Sequence, residues 1–432
     1  MRAPARQVAH TVALRAVTLV LGAVSGIVIA RALQPSGRGA YYVIATIASI
    51  TISAGHLSVE QAQVWLWSRG ADRRSLTANA LVLGLAVGVV APVVGGTTVG
   101  VLGPRVLPIT GYGTLAMALL AIPGAMAVVY LNNILVLRGR VPVVNAAALL
   151  GGAFQCGTLL VIASVARMSP AQVILLWAVS VTAPLAVLVP VARPRPRHWD
   201  RSLARQAVDR GLRYHLGLAS LFLLFRSDIL ILDAMTTTAA VGLYSLAVSL
   251  AELTRLVTDA IAQIALPRQL GTDDEGAATA TVAVTRLSTI VAAASVVLMC
   301  LAAPPLIPLV YGTAFAGSVP SLIALAPGLL ALGATRPIGA YLLRLDRPML
   351  ASSMSVAALL VNVVLNLALV PFFGIVGSAV ASSIAYATLA GLQAAWFVRA
   401  SGVSPRDLLP GPAEMAYARS RVAGLSAARR GA

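Results

Sequence analysis

Apolar runs of about twenty residues, parted by short turn-rich segments, recur along this whole chain, and a run of that length is what a helix needs to cross a bilayer. Inside hydrocarbon only a helix or a closed barrel satisfies its own backbone. Twelve runs qualify: 12–33, 40–60, 76–101, 112–136, 142–166, 171–192, 214–234, 240–264, 285–311, 318–343, 349–370 and 376–398. Turn chemistry lies between them ("QPSGRG", "LGPRVLP", "RGRVP", "RMSP", "GTDDEG", "RLDRP", "PFFG"), and no connection is long enough for a globular domain. Of the 432 residues 59% are hydrophobic and only 11% charged, where a soluble domain carries about 25% charged residues. The expected fold is therefore an all-α integral membrane protein with twelve transmembrane helices. No small-residue cleavage site ends the first run, so it is read as a spanning helix and not a removed signal.

Charge sets the expected orientation. The formal net charge is +18. In a soluble chain that would point to nucleic acid; here it is read as basic cytoplasmic loops, with no nucleic-acid partner. With the N-terminus inside, the even-numbered connections hold Arg69, Arg73, Arg74, Arg138, Arg140, the stretch "RPRPRHWDRSLARQAVDRGLR", Arg268, Arg286, Arg344 and Arg347. The odd ones hold Arg31, Arg38, Arg105 and Arg167. Both termini are then expected in the cytoplasm. The tail from Arg399 carries arginines at 399, 406, 419, 421, 429 and 430; it is expected along the anionic leaflet, in part as an amphipathic helix, or as a disordered basic tail. Every one of the 32 basic residues is arginine. A Walker A loop needs its lysine and a Schiff base needs a lysine amine, so neither chemistry belongs to this chain. Cys156 and Cys300 lie in apolar runs and are expected as buried small hydrophobes. No metal or cofactor is expected.

The stretch 193–213 divides the runs into two sets of six. The halves are weakly self-similar: "ARALQPSGRGAYYVIAT" from Ala30 aligns with "LDAMTTTAAVGLYSLAV" from Leu232, matching Gly39 and Tyr41 to Gly242 and Tyr244. The expected domains are an N-terminal six-helix lobe (1–192), a basic cytoplasmic linker (193–213), a C-terminal six-helix lobe (214–398) and a basic cytoplasmic tail (399–432). Parallel repeats of this kind mark transporters, with substrate held between the repeats.

Charge inside the runs is the candidate chemistry. "LFLLFRSDILILD" places Arg226 and Asp228 near mid-membrane, with Asp233 near one end. Residues two apart do not face each other on a helix, so Arg226 and Asp228 each need another partner. Glu252, Arg255, Asp259 and Gln263 fall at helical spacing on one stripe. An antiparallel neighbour would bring Glu252 towards Arg226. Arg15 and Arg336 add charge, while His56, Glu60, Asn132, Asn133, Asn362 and Asn366 add polar groups. Inter-helix hydrogen bonding accounts for the asparagines and for His56, and interfacial anchoring for Trp65, Trp67, Trp177, Trp199 and Trp396. Guanidinium forks suit phosphate oxygens, and acids beside them suit proton or cation coupling.

"FRSDILILDAMTTTAAVGLYSLAVSLAELTRLVTDAIAQIALPRQ" resembles the seventh and eighth helices of bacterial polysaccharide (O-antigen, Wzx-type) flippases of the multidrug/oligosaccharidyl-lipid/polysaccharide exporter superfamily. "VSGIVIARALQPSGRGAYYVIAT" resembles their opening block. "PLIPLVYGTAFAGSVPSLIALAPG" with "NVVLNLALVPFFGIVGSAVASSIAY" resembles their last four helices. The resemblance implies two six-helix lobes with alternating access in a bacterial cytoplasmic membrane. It implies a polyprenyl-pyrophosphate-linked oligosaccharide carried from the inner to the outer leaflet for cell-surface polysaccharide, with a polymerase or glycosyltransferases as possible partners. The positions able to take the pyrophosphate are Arg15, Arg31, Arg226, Arg255 and Arg336, and Asp228, Glu252 and Asp259 are the candidate coupling acids. Lipid II flippases, with fourteen helices, are expected to match less well. The alternative is a cation-coupled multidrug exporter of the same superfamily. A membrane glycosyltransferase, polymerase or ligase would need catalytic acids or histidines on a sizeable external loop, and the external loops here are short.

Overall fold

The computed structural model describes residues 2–106, 111–270, 273–344 and 348–411, with side chains over 13–101, 111–262, 273, 275–342 and 349–411. Arg419, Arg421, Arg429 and Arg430, and with them the expected amphipathic tail, lie outside the described residues, as does the Gln263 side chain.

The described chain is helical. Its helices are α1 (Arg2–Gly55), α2 (Val59–Ser68), α3 (Arg73–Val106), α4 (Tyr112–Leu120), α5 (Ile122–Leu137), α6 (Val141–Val165), α7 (Pro170–Thr182) and α8 (Leu185–Ala192). They continue as α9 (Arg201–Leu224), α10 (Ser227–Met235), α11 (Thr238–Leu270), α12 (Asp274–Tyr311), α13 (Ser318–Ala334), α14 (Arg336–Arg344) and α15 (Pro348–Ser401). Large apolar side chains point outward: Phe372 is 81% exposed and Leu301 73%. A soluble protein would not present such surfaces. The molecule is an all-α multi-pass membrane protein.

The expected count of twelve separate spans is corrected. Among the described residues eight helices are long and apolar enough to cross a membrane, or ten if each of two bent pairs is one span. Two causes act. The expected first and second helices run on as the single element α1, turning only at Gln34 (φ 56°, ψ 176°). The expected eleventh and twelfth run on as α15, turning at Gly374 (φ 53°, ψ −131°). Pro35 does not stop α1, because a proline in a first helical turn has no hydrogen bond to lose. The expected seventh and tenth helices are instead bent pairs, α9 with α10 at 44° and α13 with α14 at 45°. The two six-helix lobes fall with that count.

Two compact units emerge. The first comprises Met1–Leu243 and Val310–Ala314; the second comprises Tyr244–Leu309 and Phe315–Ala432. In the first unit, Val59, Leu66, Leu76, Tyr130, Leu131 and Ile134 form one buried cluster joining α2, α3 and α5. Ile29, Leu33, Leu159, Val173 and Leu176 form another between α1, α6 and α7. Local chemistry sets the helix starts. Ser169 caps α7 in a reciprocal box with Gln172, and Asp200 caps α9 through the Leu203 N–H at 3.0 Å. Asn79 on α3 clamps the Asp200 backbone on both sides, at 2.9 and 3.0 Å. Ahead of α3, Asp72 accepts the Ser75 N–H, and that bond holds its carboxyl below its ordinary range. At the end of α5, Arg138 donates to Ala192 O and Thr77 Oγ1, and burial lowers its affinity for its proton.

In the second unit, Ala277, Ile338, Tyr341 and Phe397 join α12, α14 and α15, with the Tyr341 ring edge-on to Phe397 at 5.1 Å. The turn at Gly374 is held by buried amides. Ser378 Oγ donates to Asn366 Oδ1 at 2.6 Å, and Asn366 Nδ2 donates to Asn362 Oδ1 at 3.2 Å. Asn362 Nδ2 in turn donates to Ser382 Oγ at 3.1 Å. Both asparagines are fully buried, and their bonds tie the two arms of α15 together across the turn.

Candidate functional site

In the first unit arginines gather round one tyrosine. Arg226 occupies the break between α9 and α10, with φ −135° and ψ −21°. Its Nη1 donates to the Tyr42 hydroxyl at 2.7 Å, and its Cζ lies 6.0 Å from the Tyr42 ring centre. Arg38, only 4% exposed, approaches the same ring at 5.9 Å and donates to Gly26 O at 3.4 Å. Arg31 donates to Val310 O at 2.7 Å. Asp228 is fully buried in the first turn of α10, where its Oδ1 accepts the Ile229 N–H at 2.8 Å. A carboxylate there meets the positive end of the helix dipole.

The arginine within the apolar stretch 221–233 thus sits where the helix is interrupted. A broken helix frees backbone groups, which membranes tolerate only where protein or a wet cavity takes them up. Part of that need is met locally, since the Phe225 and Arg226 N–H groups bond back to Phe222 O and Leu223 O.

The second unit repeats the arrangement with acids. Arg336 opens α14 at the other bend, and its Nε donates to Asp259 Oδ1 on α11. Arg255, one turn earlier on α11, has Tyr386, Arg336, Glu252 and Asp259 as its electrostatic neighbours. Four of the residues expected at the site are therefore gathered here: Glu252, Arg255, Asp259 and Arg336. Three more, Arg31, Arg226 and Asp228, lie in the first unit. Glu252 and Arg226 fall in different units. Arg15 joins neither group. It is exposed on α1 and makes no hydrogen bond or ion pair among the described residues.

Arg38 and Tyr42 were not among the expected site residues. The signal available was the spacing of Arg38 and Tyr42, four apart on one helical face and inside the repeated motif. An apolar groove of about 610 Å³ also lies in the first unit, lined by Ile47, Thr51, Ala54, Ala91, Val94 and Leu230, among others. Among the described residues no three His, Cys, Asp or Glu side chains are grouped to hold a metal.

A family model described as "Polysaccharide biosynthesis protein" matches residues 142–320. No curated protein matches the chain. Solved structures do. The lipid II flippase MurJ, in an inward closed conformation, superposes with a TM-score of 0.73 at 12% identity, over 92% of this chain and 88% of that one. An inward-facing multidrug resistance MATE family transporter of the MOP superfamily superposes with a TM-score of 0.71 at 15% identity, over 89% and 94%. A MOP superfamily transporter from Pyrococcus furiosus, described as having a binding pocket of reversed polarity, gives 0.58 at 14% identity, over 91% and 94%. The expectation that lipid II flippases match less well is not met. At these identities the likeness is one of fold, and this chain has the fold of the MOP superfamily.

Proposed function

We propose that the protein is a secondary transporter that moves an amphiphilic substrate across the membrane by alternating access. The observation that carries this reading is the group Glu252, Arg255, Asp259 and Arg336, drawn from two helices of the second unit. Ionisable groups in apolar spans are expensive and are kept for substrate or ion pathways, and broken helices in transporters place binding groups. The groove of the first unit suits the apolar part of an amphiphile.

Of the two substrate classes expected from the sequence, cation-coupled export of small organic molecules has the better support. The multidrug resistance transporter aligns over nearly all of both chains, and Asp228, Glu252 and Asp259 supply acids to bind a coupling cation. The second reading is a flippase of polyprenyl-pyrophosphate-linked oligosaccharide. The polysaccharide biosynthesis match over 142–320 favours it, as do arginines 31, 226, 255 and 336, whose guanidinium forks suit pyrophosphate.

One reconstitution separates the two. Proteoliposomes holding the full chain are given a proton or sodium gradient. They are assayed in parallel for ethidium movement and for translocation of a fluorescent polyprenyl-pyrophosphate sugar quenched by external dithionite. Gradient-dependent ethidium movement alone supports the exporter; sugar-lipid translocation alone supports the flippase. If neither substrate moves faster than in protein-free vesicles, the transport reading is overturned.

A further inference from the structure

The corner between α1 and α2 carries a polar cluster that the transport reading does not use. Leu57 and Ser58 both adopt left-handed backbone, with φ of 49° and 50°, a conformation that a non-glycine residue holds only when its surroundings fix it. Ser58 is fully buried and is held by two imidazoles. Its N–H donates to His56 Nδ1 at 3.0 Å, and its Oγ lies 3.2 Å from His215 Nδ1. The rings meet edge to face at 5.5 Å. Tyr130 OH donates to His56 O at 2.6 Å, and a methyl at Gly211 would overlap the Leu57 carbonyl, so α5 and α9 close over the corner.

The proton inventory is tightly constrained. His215 Nε2 lies 2.9 Å from Ala54 O. A carbonyl only accepts, so that nitrogen carries the proton. His215 Nδ1 then accepts from the Ser58 hydroxyl, and if protonated it could donate to the same oxygen once the hydroxyl rotates. His56 has no such freedom. Its Nδ1 has one lone pair and two partners: the Ser58 N–H, and Glu60 Oε1 at 3.3 Å. A neutral Nδ1 accepts from Ser58 and faces the carboxylate with no proton between them. A protonated Nδ1 donates to Glu60 in a charge-assisted bond, and the Ser58 N–H loses its acceptor. The second carboxylate oxygen, Glu60 Oε2, is buried with no hydrogen-bond partner, so the present arrangement leaves Glu60 under-satisfied.

From this geometry we infer that His56 Nδ1 is a proton-binding site that works the α1–α2 corner. One proton from solvent adds to the Nδ1 lone pair, the Ser58 N–H···N bond breaks, and an N–H···O bond to Glu60 forms. The side chains of His56 and Glu60 are 16% and 21% exposed. Among the described residues, the titratable groups in contact with His56 are Glu60 from α2, Tyr130 from α5 and His215 from α9. Asn133 and Gln63 are neutral, and α3 presents Ala91 at Gly55. Released from Ser58, the left-handed corner relaxes and α2 shifts against α9. This site goes beyond the transport reading and does not depend on what is carried.

Trp65 reports the shift. It lies on α2 between Arg69 at 4.5 Å and Arg210 of α9 at 4.6 Å. The full chain, with the other four tryptophans replaced by phenylalanine, is titrated with acid in lipid nanodiscs while Trp65 emission is followed. The inference predicts a one-proton transition. His56→Asn keeps an acceptor for the N–H two residues on and does not titrate, so it abolishes the transition. Glu60→Gln moves the midpoint to at least tenfold higher proton concentration. His215→Asn retains the transition. The inference is overturned if the transition persists in His56→Asn, if it is absent from the wild type, or if Glu60→Gln leaves the midpoint in place. Should His56→Asn not fold, the Glu60→Gln midpoint decides.

Discussion

Gly39 and Gly242, matched by the internal repeat, pack directly against each other. A methyl on Gly39 would overlap the Thr238 carbonyl, and one on Gly242 would overlap the Pro35 carbonyl; each would also crowd the other glycine's amide nitrogen, at 3.0 and 3.1 Å. Small residues are what allow helices to approach this closely in a membrane. Overpacking costs about 1–3 kcal/mol, so Gly39→Ala should lower the thermal midpoint of the detergent-purified protein. Gly157→Ala adds a methyl where nothing lies within 4 Å and should leave that midpoint unchanged or slightly higher. Equal midpoints for the two variants would contradict the contact. The equivalence of the two glycines was legible in the sequence, but their contact was not. Self-similarity shows that two positions play the same part, not that they touch. Arg38 escaped for a related reason: it sits in what reads as a loop arginine in "QPSGRG", and only the continuity of α1 makes it a buried intrahelical charge.

At the scale of elements, the sequence reading found the apolar runs and misjudged their breaks. Hydropathy is a sum over about twenty residues, whereas a break is decided by one residue's φ and ψ. Gly374 turns α15 without ending it, and nothing in a window average separates that from a loop. The break at Arg226 left a trace, since Arg226–Ser227–Asp228 is the one polar run within an apolar stretch. The charged stripe Glu252–Arg255–Asp259 was legible from helical spacing, because that periodicity is local; its partner Arg336 was known to be charged but not to be adjacent. The turn at Gly374 depends on the buried amides behind it. Asn366→Val removes the Oδ1 that accepts from Ser378 Oγ and the Nδ2 that donates to Asn362 Oδ1. Intramembrane polar contacts average about 0.6 kcal/mol and reach about 1.7, so the loss of linked bonds should lower stability by about 1–2 kcal/mol in an unfolding assay. An unchanged stability would show that the turn does not rely on this chain of bonds.

For the whole molecule, composition fixes the solvent before any contact is considered. A chain with 11% charged residues cannot cover itself for water, and large apolar side chains such as Phe372 and Leu301 lie exposed on its surface. What composition leaves open is why charge persists inside. The two bent spans answer alike: Arg226 stands at one break and Arg336 at the other. Charge placed at interrupted helices within a fold of this kind is the physical basis of the transport proposal. The most direct measurement compares gradient-driven substrate movement in proteoliposomes of wild type with Arg336→Ala, Asp259→Ala and the double variant, at matched amounts of folded protein. The account predicts that each single variant slows transport at least tenfold, and that the double variant stays slow although no charge is left unpaired between the two positions. If the double variant recovers wild-type rates, the pair is a structural tie between α11 and α14, and the central claim is contradicted.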